Sequence, residues 1–340
     1  MDKFINDTSD ALRLLNDLDC DRSFSDKSAS LSLCERLLLF ESLNYKVTYK
    51  SLLSAITMWD YSGKWQHWLL EDTSNFKKTI INKVLKKSDI EYYKKYRFLI
   101  IKSALDLETL NDLKLKIDLF LEKYLIDNSI IIEQNTPFFQ LKNLRLRNLE
   151  INKFITSTEF VKFLYPLINE SSLRIYHDQV LYKYPQASIT DWHQDNLYFP
   201  LNTNKTLTIW IPLEDSEENM GNMQFVKKSN NIGYLGFNPI GSGSKNFYKE
   251  YIDKNQLQTF NTRKILAGDI SIHNGWTIHS ANANKSTKIR KSLVITFYPD
   301  NTKISKPKNS YQERVVKYMF KGLKIGDYAH GSSNTLIHIS

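Results

Sequence analysis

From about residue 174 the chain breaks into short apolar runs punctuated by Pro, Gly and Asn, and this cadence limits the possible folds more than any other feature. Residues 179–184, 207–212, 223–226, 270–273 and 292–298 are rich in β-branched and aromatic side chains and too short to be helices. Many short strands of this kind bury their apolar faces by closing into a sandwich or barrel. With 340 residues and 41% apolar content, the chain can build a substantial core.

The earlier part reads differently. Ser32-Leu33-Cys34-Glu35 fits a capping box ahead of Leu37, Leu38, Phe40 and Leu43, and residues 75–96 place Ile80, Ile81, Val84 and Leu85 at helical spacing. Trp59, Trp65 and Trp68 are expected to pack these helices, with a partner-binding patch as the alternative. From Arg97 the pattern changes: 98–101 reads as a strand, and Asp106 caps a helix whose apolar face carries Leu107, Leu110, Leu113, Ile117, Leu121 and Tyr124. The expected fold is α+β, a double-stranded β-helix (jelly-roll, cupin-like) core with flanking helices. The expected division is a helical extension over 1–90, the jelly roll over 91–300 and a basic tail over 301–340. Residues 227–263, rich in Gly, Asn, Ser and Tyr, are expected to form a long loop acting as a lid.

Within the strands lies His193-Gln194-Asp195. Side chains two apart on a strand leave the same face, so His193 and Asp195 can enter one cavity while Gln194 stays outside it. Two histidines and one carboxylate on one face of an octahedral metal suit a non-haem Fe(II) oxygenase, so a second histidine is needed. Of seven histidines, His67 falls in the helical extension, His330 and His338 in the tail, and His177 ahead of the motif; these are read as surface or packing residues. The choice lies between His273 and His279. His279 is preferred because a polar turn through Asn282, Asn284, Lys285 and Ser286 returns the chain to Arg290, which opens a strand with Ser292, Val294 and Thr296 on its own face. A buried arginine needs an anion. The distal carboxylate of 2-oxoglutarate would suit the guanidinium fork; an internal ion pair is the alternative.

Residues 96–298 resemble the phytanoyl-CoA dioxygenase-like family of Fe(II)/2-oxoglutarate-dependent oxygenases. The resemblance rests on Tyr96-Arg97-Phe98-Leu99-Ile100-Ile101 with its following helix, Val180-Leu181-Tyr182-Lys183-Tyr184-Pro185, Trp192-His193-Gln194-Asp195, Leu207-Thr208-Ile209-Trp210-Ile211-Pro212-Leu213, Gly268-Asp269-Ile270, and His279 with Arg290. It implies His193, Asp195 and His279 as iron ligands and catalytic centre, and Arg290 as 2-oxoglutarate anchor. It also implies Ser292 and Trp210 as pocket residues, and Gln179 and Lys183 as co-substrate or substrate contacts, unless Lys183 alternates outward. The implied cofactors are Fe(II), 2-oxoglutarate and O2. The implied reaction is oxidation of an unactivated C–H bond coupled to decarboxylation of 2-oxoglutarate to succinate and CO2. Hydroxylation is the default, with desaturation or cyclisation open. Halogenating relatives carry a small residue where this chain has Asp195, so halogenation is not expected. One departure is Lys227-Lys228-Ser229-Asn230, where many members have Pro-Gly-Ser-His.

The formal charge of +9 favours a small, anionic substrate, such as a carboxylated product of secondary metabolism. The basic run Lys303, Lys306, Lys308, Arg314, Lys317, Lys321 and Lys324 reads as a solvated face; no nucleic-acid motif accompanies it, so no nucleic-acid partner is expected. Cys20 and Cys34 give no disulfide framework, which suggests a reducing, cytoplasmic setting. The start Met1-Asp2-Lys3-Phe4 carries no apolar run, and no stretch reaches membrane-spanning length, so neither leader nor membrane association is expected. Two other readings stay open: a protein or peptide hydroxylase that grips its partner with the extension, and a non-catalytic metal-binding jelly roll. Oligomeric state is not legible.

Overall fold

The computed structural model describes residues 80–127 and 138–339, together with Leu14, Leu39, Phe40, Ser42, Leu43 and Tyr45. The capping box at 32–35, the three tryptophans at 59, 65 and 68, both cysteines and His67 lie outside the described residues. In chain order the elements are α1 (Lys87–Tyr96), β1 (Phe98–Ile101), α2 (Leu107–Asp127), β2 (Phe138–Lys142), α3 (Leu149–Ile155), α4 (Thr158–Ile168) and β3 (Ser172–Lys183). There follow β4 (Thr190–His193), β5 (Leu207–Pro212), β6 (Met223–Val226), α5 (Ser242–Lys254), β7 (Thr259–Asn261), β8 (Ile270–Asn274), β9 (His279–Ala281), β10 (Arg290–Pro299), α6 (Ser310–Tyr318) and β11 (Leu336–His338).

The ten-residue strand β10 is buried almost throughout because each of its faces has a different neighbour. Leu293, Ile295 and Phe297 pack with Leu110, Leu113 and Ile117 of α2 and with Phe160 and Leu164 of α4. Arg290, Val294 and Thr296 face inward to a cavity. The larger sheet runs β1-β8-β5-β10-β3-β11, with β2 also pairing β3, and the smaller runs β4-β9-β6-β7. All the strand pairs are antiparallel. Between the sheets, Phe98, Trp210, Phe225 and Val294 form one cluster, with Phe98 stacked on Phe225 at 4.6 Å. This is the double-stranded β-helix expected from the strand cadence.

The helix α2 begins as its capping residue requires: the Asp106 carboxylate accepts from the Thr109 amide at 2.8 Å. Residues 75–96 do not form one helix through Ile80 and Ile81. The Glu159 carboxylate takes both their amides, and Ile81 bridges to Leu105, so helix starts only at Lys87. The stretch 227–263 is likewise no continuous loop, for it contains α5 and β7. Tyr248 and Ile252, one helical turn apart, bury against Val226 and Ile278 and fasten α5 to the smaller sheet.

The segment after residue 300, expected as a tail, is built into the domain. Strand β11 pairs with β3, Phe320 and Ala329 pack against Tyr176 and Tyr298, and the Asn334 amide donates to the Ile175 and Tyr176 carbonyls. A buried ion pair fixes the junction: Arg145 reaches Asp178 at 2.5 Å and also donates to the Ser333 carbonyl. Among the described residues no helix is long and apolar enough to cross a membrane.

Candidate metal centre and its cavity

His193 ends β4, His279 begins β9, and the two are direct partners across the smaller sheet, with ring centroids 4.1 Å apart. Past His193 the backbone stays extended at Gln194 (φ −123°, ψ 129°), and Asp195 opens a turn of 3-10 helix. The pleat therefore sends His193 and Asp195 to one side and Gln194 to the other. Gln194 is buried there, its amide donating to the carbonyls of Gly233 (3.0 Å) and Trp276 (2.8 Å).

Each histidine is held by the nitrogen that faces away from the site. His193 Nδ1 lies 2.8 Å from the Asp191 carbonyl and His279 Nδ1 lies 2.9 Å from the Thr277 carbonyl. A carbonyl only accepts, so Nδ1 carries the proton and Nε2 presents its lone pair. The two Nε2 atoms stand 3.8 and 3.7 Å from Asp195 Oδ1. The other carboxylate oxygen, Oδ2, is occupied by the Thr208 hydroxyl at 2.8 Å and His273 Nε2 at 3.2 Å. Three ligand atoms, all within 4.8 Å of one another, are thus offered to one point.

The charge states agree with that purpose. Burial would raise the Asp195 pKa, but His279, His273 and His193 around it hold the carboxyl well below its ordinary range. Burial pushes His193 and His279 below the usual imidazole value, so both are neutral at pH 7. A divalent cation needs neutral imidazoles and an ionised carboxylate, and it finds them here without displacing a proton. The donor set is that of the two-histidine, one-carboxylate facial triad and fits a ferrous ion with open positions opposite. His273, the rival in sequence, spends Nε2 on Asp195 and orients the carboxylate; its Nδ1 has no partner.

The triad opens into a cavity of about 490 Å³. At one end Arg290 and Lys183 are register partners on β10 and β3, and they are only 3% and 1% exposed. Arg290 donates to the Gly221 carbonyl and lies over the Trp210 ring at 5.4 Å, while its Nε has no partner. Lys183 points inward, donating to the Asn282 carbonyl and standing 3.5 Å from the Thr190 hydroxyl. Among the described residues no carboxylate lies within ion-pair distance of either cation. Burial, with Arg290 beside it, lowers the Lys183 pKa to about 7, and burial lowers Arg290 to about 10, so the guanidinium stays charged at neutral pH. A buried guanidinium without a protein anion, beside an amine that a bound anion would keep protonated, has the chemistry to receive a carboxylate.

Trp210, Gln179 and Lys183 line this cavity with Arg290; Ser292 does not. Its hydroxyl is turned to the carbonyl of Leu181, its register partner on β3, at 3.1 Å. Thr296, placed by alternation on the face of Arg290, does line the cavity, whereas sequence reasoning missed Thr208, Gln140 and His177. For Thr208 the signal was available, since it alternates with Trp210 on the same strand; nothing in the sequence singled out Gln140. His177, read as a surface or packing residue, faces the cavity. In the 227–230 turn, Lys228 takes the left-handed conformation (φ 61°), and Ser229 accepts from the Ile278 amide and donates to the Val226 carbonyl, both at 2.8 Å. The departure from Pro-Gly-Ser-His keeps the serine that ties this turn to the residue before His279.

Fold and triad together define a jelly-roll protein of the non-haem iron type. Within that class, residues 93–292 match the phytanoyl-CoA dioxygenase (PhyH) family, and the chain belongs to it. A curated relative, the probable alpha-ketoglutarate-dependent hypophosphite dioxygenase of Stutzerimonas stutzeri, is 23% identical over 153 residues, covering 43% of this chain and 52% of the relative. The chain thus spans about half the length of that protein. Among solved structures, the alpha-ketoglutarate-dependent carbocyclase SnoK from nogalamycin biosynthesis aligns with TM-score 0.59 and 19% identity, over 74% of this chain and 96% of its own. The epimerase SnoN, in complex with Fe3+, alpha-ketoglutarate and nogalamycin RO, gives TM-score 0.59 at 20% identity, over 74% and 97%. EctD from S. alaskensis gives 0.55 at 11%, over 67% and 82%. These likenesses are in fold.

Proposed function

We propose that the protein is an Fe(II)- and 2-oxoglutarate-dependent oxygenase that oxidises an unactivated C–H bond of a small molecule, hydroxylation being the default outcome. One observation carries this reading: converging His193 Nε2, His279 Nε2 and Asp195 Oδ1 share a cavity with a buried Arg290 that has no carboxylate partner among the described residues. His193, Asp195 and His279 would hold the iron, which when bound supplies an oxidant from O2 as 2-oxoglutarate is decarboxylated to succinate and CO2. Arg290 would grip the distal carboxylate of the co-substrate by its planar fork, with Trp210 beneath and Lys183 adjacent. Leu181, Val294 and Met223 wall the space between clamp and triad with apolar surface and keep water from it. The relatives support the reading, since one is named for alpha-ketoglutarate dependence and another holds iron with alpha-ketoglutarate. A ferrous site also suits a reducing compartment such as the cytoplasm. The expectation of an anionic substrate rests on net charge alone, because the cavity's buried cations sit at the co-substrate end.

The test is succinate release from purified protein incubated with Fe(II), 2-oxoglutarate and a metabolite extract, with mass spectrometry of the extract. The expected result is succinate that depends on both additions, a metabolite gaining one oxygen or losing two hydrogens, and loss of both signals in His193→Ala and Arg290→Ala. Full succinate release from either variant would contradict the assignment.

A further inference from the structure

The wall of the cavity away from the cation pair has its own chemistry. Along β3 the inward positions run Lys183, Leu181, Gln179, His177, so the wall passes from cationic through apolar to neutral polar. His177 lies opposite Thr296 on β10, three inward positions from Arg290 and Lys183, and its imidazole makes edge contacts with Tyr176 and Phe199. No group among the described residues hydrogen-bonds that ring. Next to it the Gln140 and Gln179 amides bond each other, which leaves one NH2 and one carbonyl unused. Phe138, the register partner of Lys183 on β2, lines the cavity with Ile189 and Ile240, and these three, partly open to solvent, form an apolar mouth.

Among the residues lining the cavity, only Asp195, Arg290 and, when protonated, Lys183 carry a charge, and all three belong to the metal and co-substrate end. A charged substrate group placed against the wall around His177 would lose its hydration, and the cation nearest it on β2, Lys142, the register partner of Gln179, is exposed and offers only a solvent-screened counter-charge. We propose that the substrate is a neutral molecule with an apolar body, and that His177, backed by the Gln140–Gln179 pair, receives a hydroxyl or similar uncharged hydrogen-bonding group on it. This deepens the oxygenase reading and rests on it. Burial, with Lys142 adding to it, drives the His177 pKa down to about 3, so the ring is neutral at pH 7, with one donor and one acceptor to offer. His177 is thus a specificity residue that fixes which carbon of the substrate faces the triad.

The test uses the full chain loaded with Zn(II) and 2-oxoglutarate, which prevents turnover and keeps the protein diamagnetic. Probes are matched triplets on common apolar skeletons, an alcohol, its methyl ether and the corresponding carboxylate, with dissociation constants read by ligand-observed NMR. Alcohols are expected to bind more tightly than carboxylates by on the order of tenfold or more. His177→Phe should weaken the alcohols about threefold to tenfold, the worth of one neutral hydrogen bond, and leave the ethers unchanged, while His177→Gln restores most of the loss. Tighter binding of the carboxylates would overturn the proposal. So would equal weakening of alcohol and ether in His177→Phe, or no binding by any triplet to protein shown to hold 2-oxoglutarate. Failure to bind 2-oxoglutarate itself would count against the oxygenase reading instead.

Discussion

Replacing Thr208 by Val keeps the shape of a buried side chain and removes one hydroxyl, the donor 2.8 Å from Asp195 Oδ2. That oxygen then has only His273 Nε2, at the longer distance of 3.2 Å, to hold it. The ionised carboxylate is thereby freer to rotate, and Oδ1 is no longer pre-set toward the two Nε2 atoms. Loss of such an outer partner typically lowers metal affinity about 10- to 100-fold, equivalent to about 1.4 to 2.8 kcal/mol. The Thr208 hydroxyl also lies 3.2 Å from that of Thr296, but two neutral hydroxyls contribute less than a bond to an ionised acceptor. The assay is competition of Co(II) or Mn(II) against a chromophoric chelator, which reads the site without turnover. Thr208→Val should fall in the stated range and His273→Phe should fall with it, because both act on the same oxygen. Metal affinity within twofold of wild type in both variants would refute the argument that Oδ2 is held so that Oδ1 can bind.

The buried Lys183 gives a pH dependence whose sign follows from its lowered pKa. In the unfolded chain the amine keeps its proton up to the ordinary lysine range, while in the fold it loses it near pH 7, so the stability of the ligand-free protein should rise as pH increases from about 7 toward 10. Lys183→Met should flatten that rise, as read by urea melts across the range; an unchanged slope would contradict the inward, unpaired placement. Gly221 sits at φ +82°, where an added Cβ would meet the Asn282 carbonyl at 2.5 Å, and its own carbonyl holds Arg290. Gly221→Ala should destabilise by about 1 to 3 kcal/mol and weaken 2-oxoglutarate binding more than metal binding in parallel calorimetric titrations. Asp178→Ala strands the Arg145 guanidinium in the interior and should cost about 3 to 5 kcal/mol in denaturant midpoint analysis; a loss under 1 kcal/mol would show the pair to be relaxed or hydrated.

Much of the fold was legible because it is written in local patterns. The strand at 98–101 and those at 207–212 and 223–226 coincide with β1, β5 and β6; in β1 and β5 continuous apolar and β-branched residues match strands buried on both faces. Strand β3 was recognised only from Gln179 because Arg174, His177 and Asp178 break its apolar run. Asp178 is buried by virtue of Arg145 and two backbone amides, a tertiary arrangement that no local pattern announces. Helix α5 was read as loop because only a few of its side chains, Tyr248 and Ile252 chief among them, fasten it, and the rest are polar. The tail was misread for the same reason: its lysines dominate the composition, while isolated residues such as Phe320, Asn334 and Ile337 anchor it.

At the site, H-x-D spacing and the return strand to Arg290 were enough to nominate residues that the fold brings into one cavity. Ser292 was nominated by alternation with Arg290 and by the family resemblance, neither of which tells which acceptor the hydroxyl meets. Thr208 and His273 converge on Asp195 from β5 and β8, distant in sequence, and His177 becomes a cavity residue only because β3 forms the inner wall. Contacts of that kind depend on sheet order and lie beyond periodicity.

The central claim is that the triad and Arg290 form one composite site for iron and 2-oxoglutarate. Anaerobic titration of 2-oxoglutarate into the Fe(II)-loaded protein, followed by visible absorption, tests it most directly, because a keto acid chelating ferrous iron produces a charge-transfer band. The account predicts a saturable band with one equivalent of 2-oxoglutarate, absent in His193→Ala and shifted to much higher 2-oxoglutarate concentration in Arg290→Ala with iron binding intact. No band in the iron-loaded wild type, or the same saturation curve for wild type and Arg290→Ala, would contradict it.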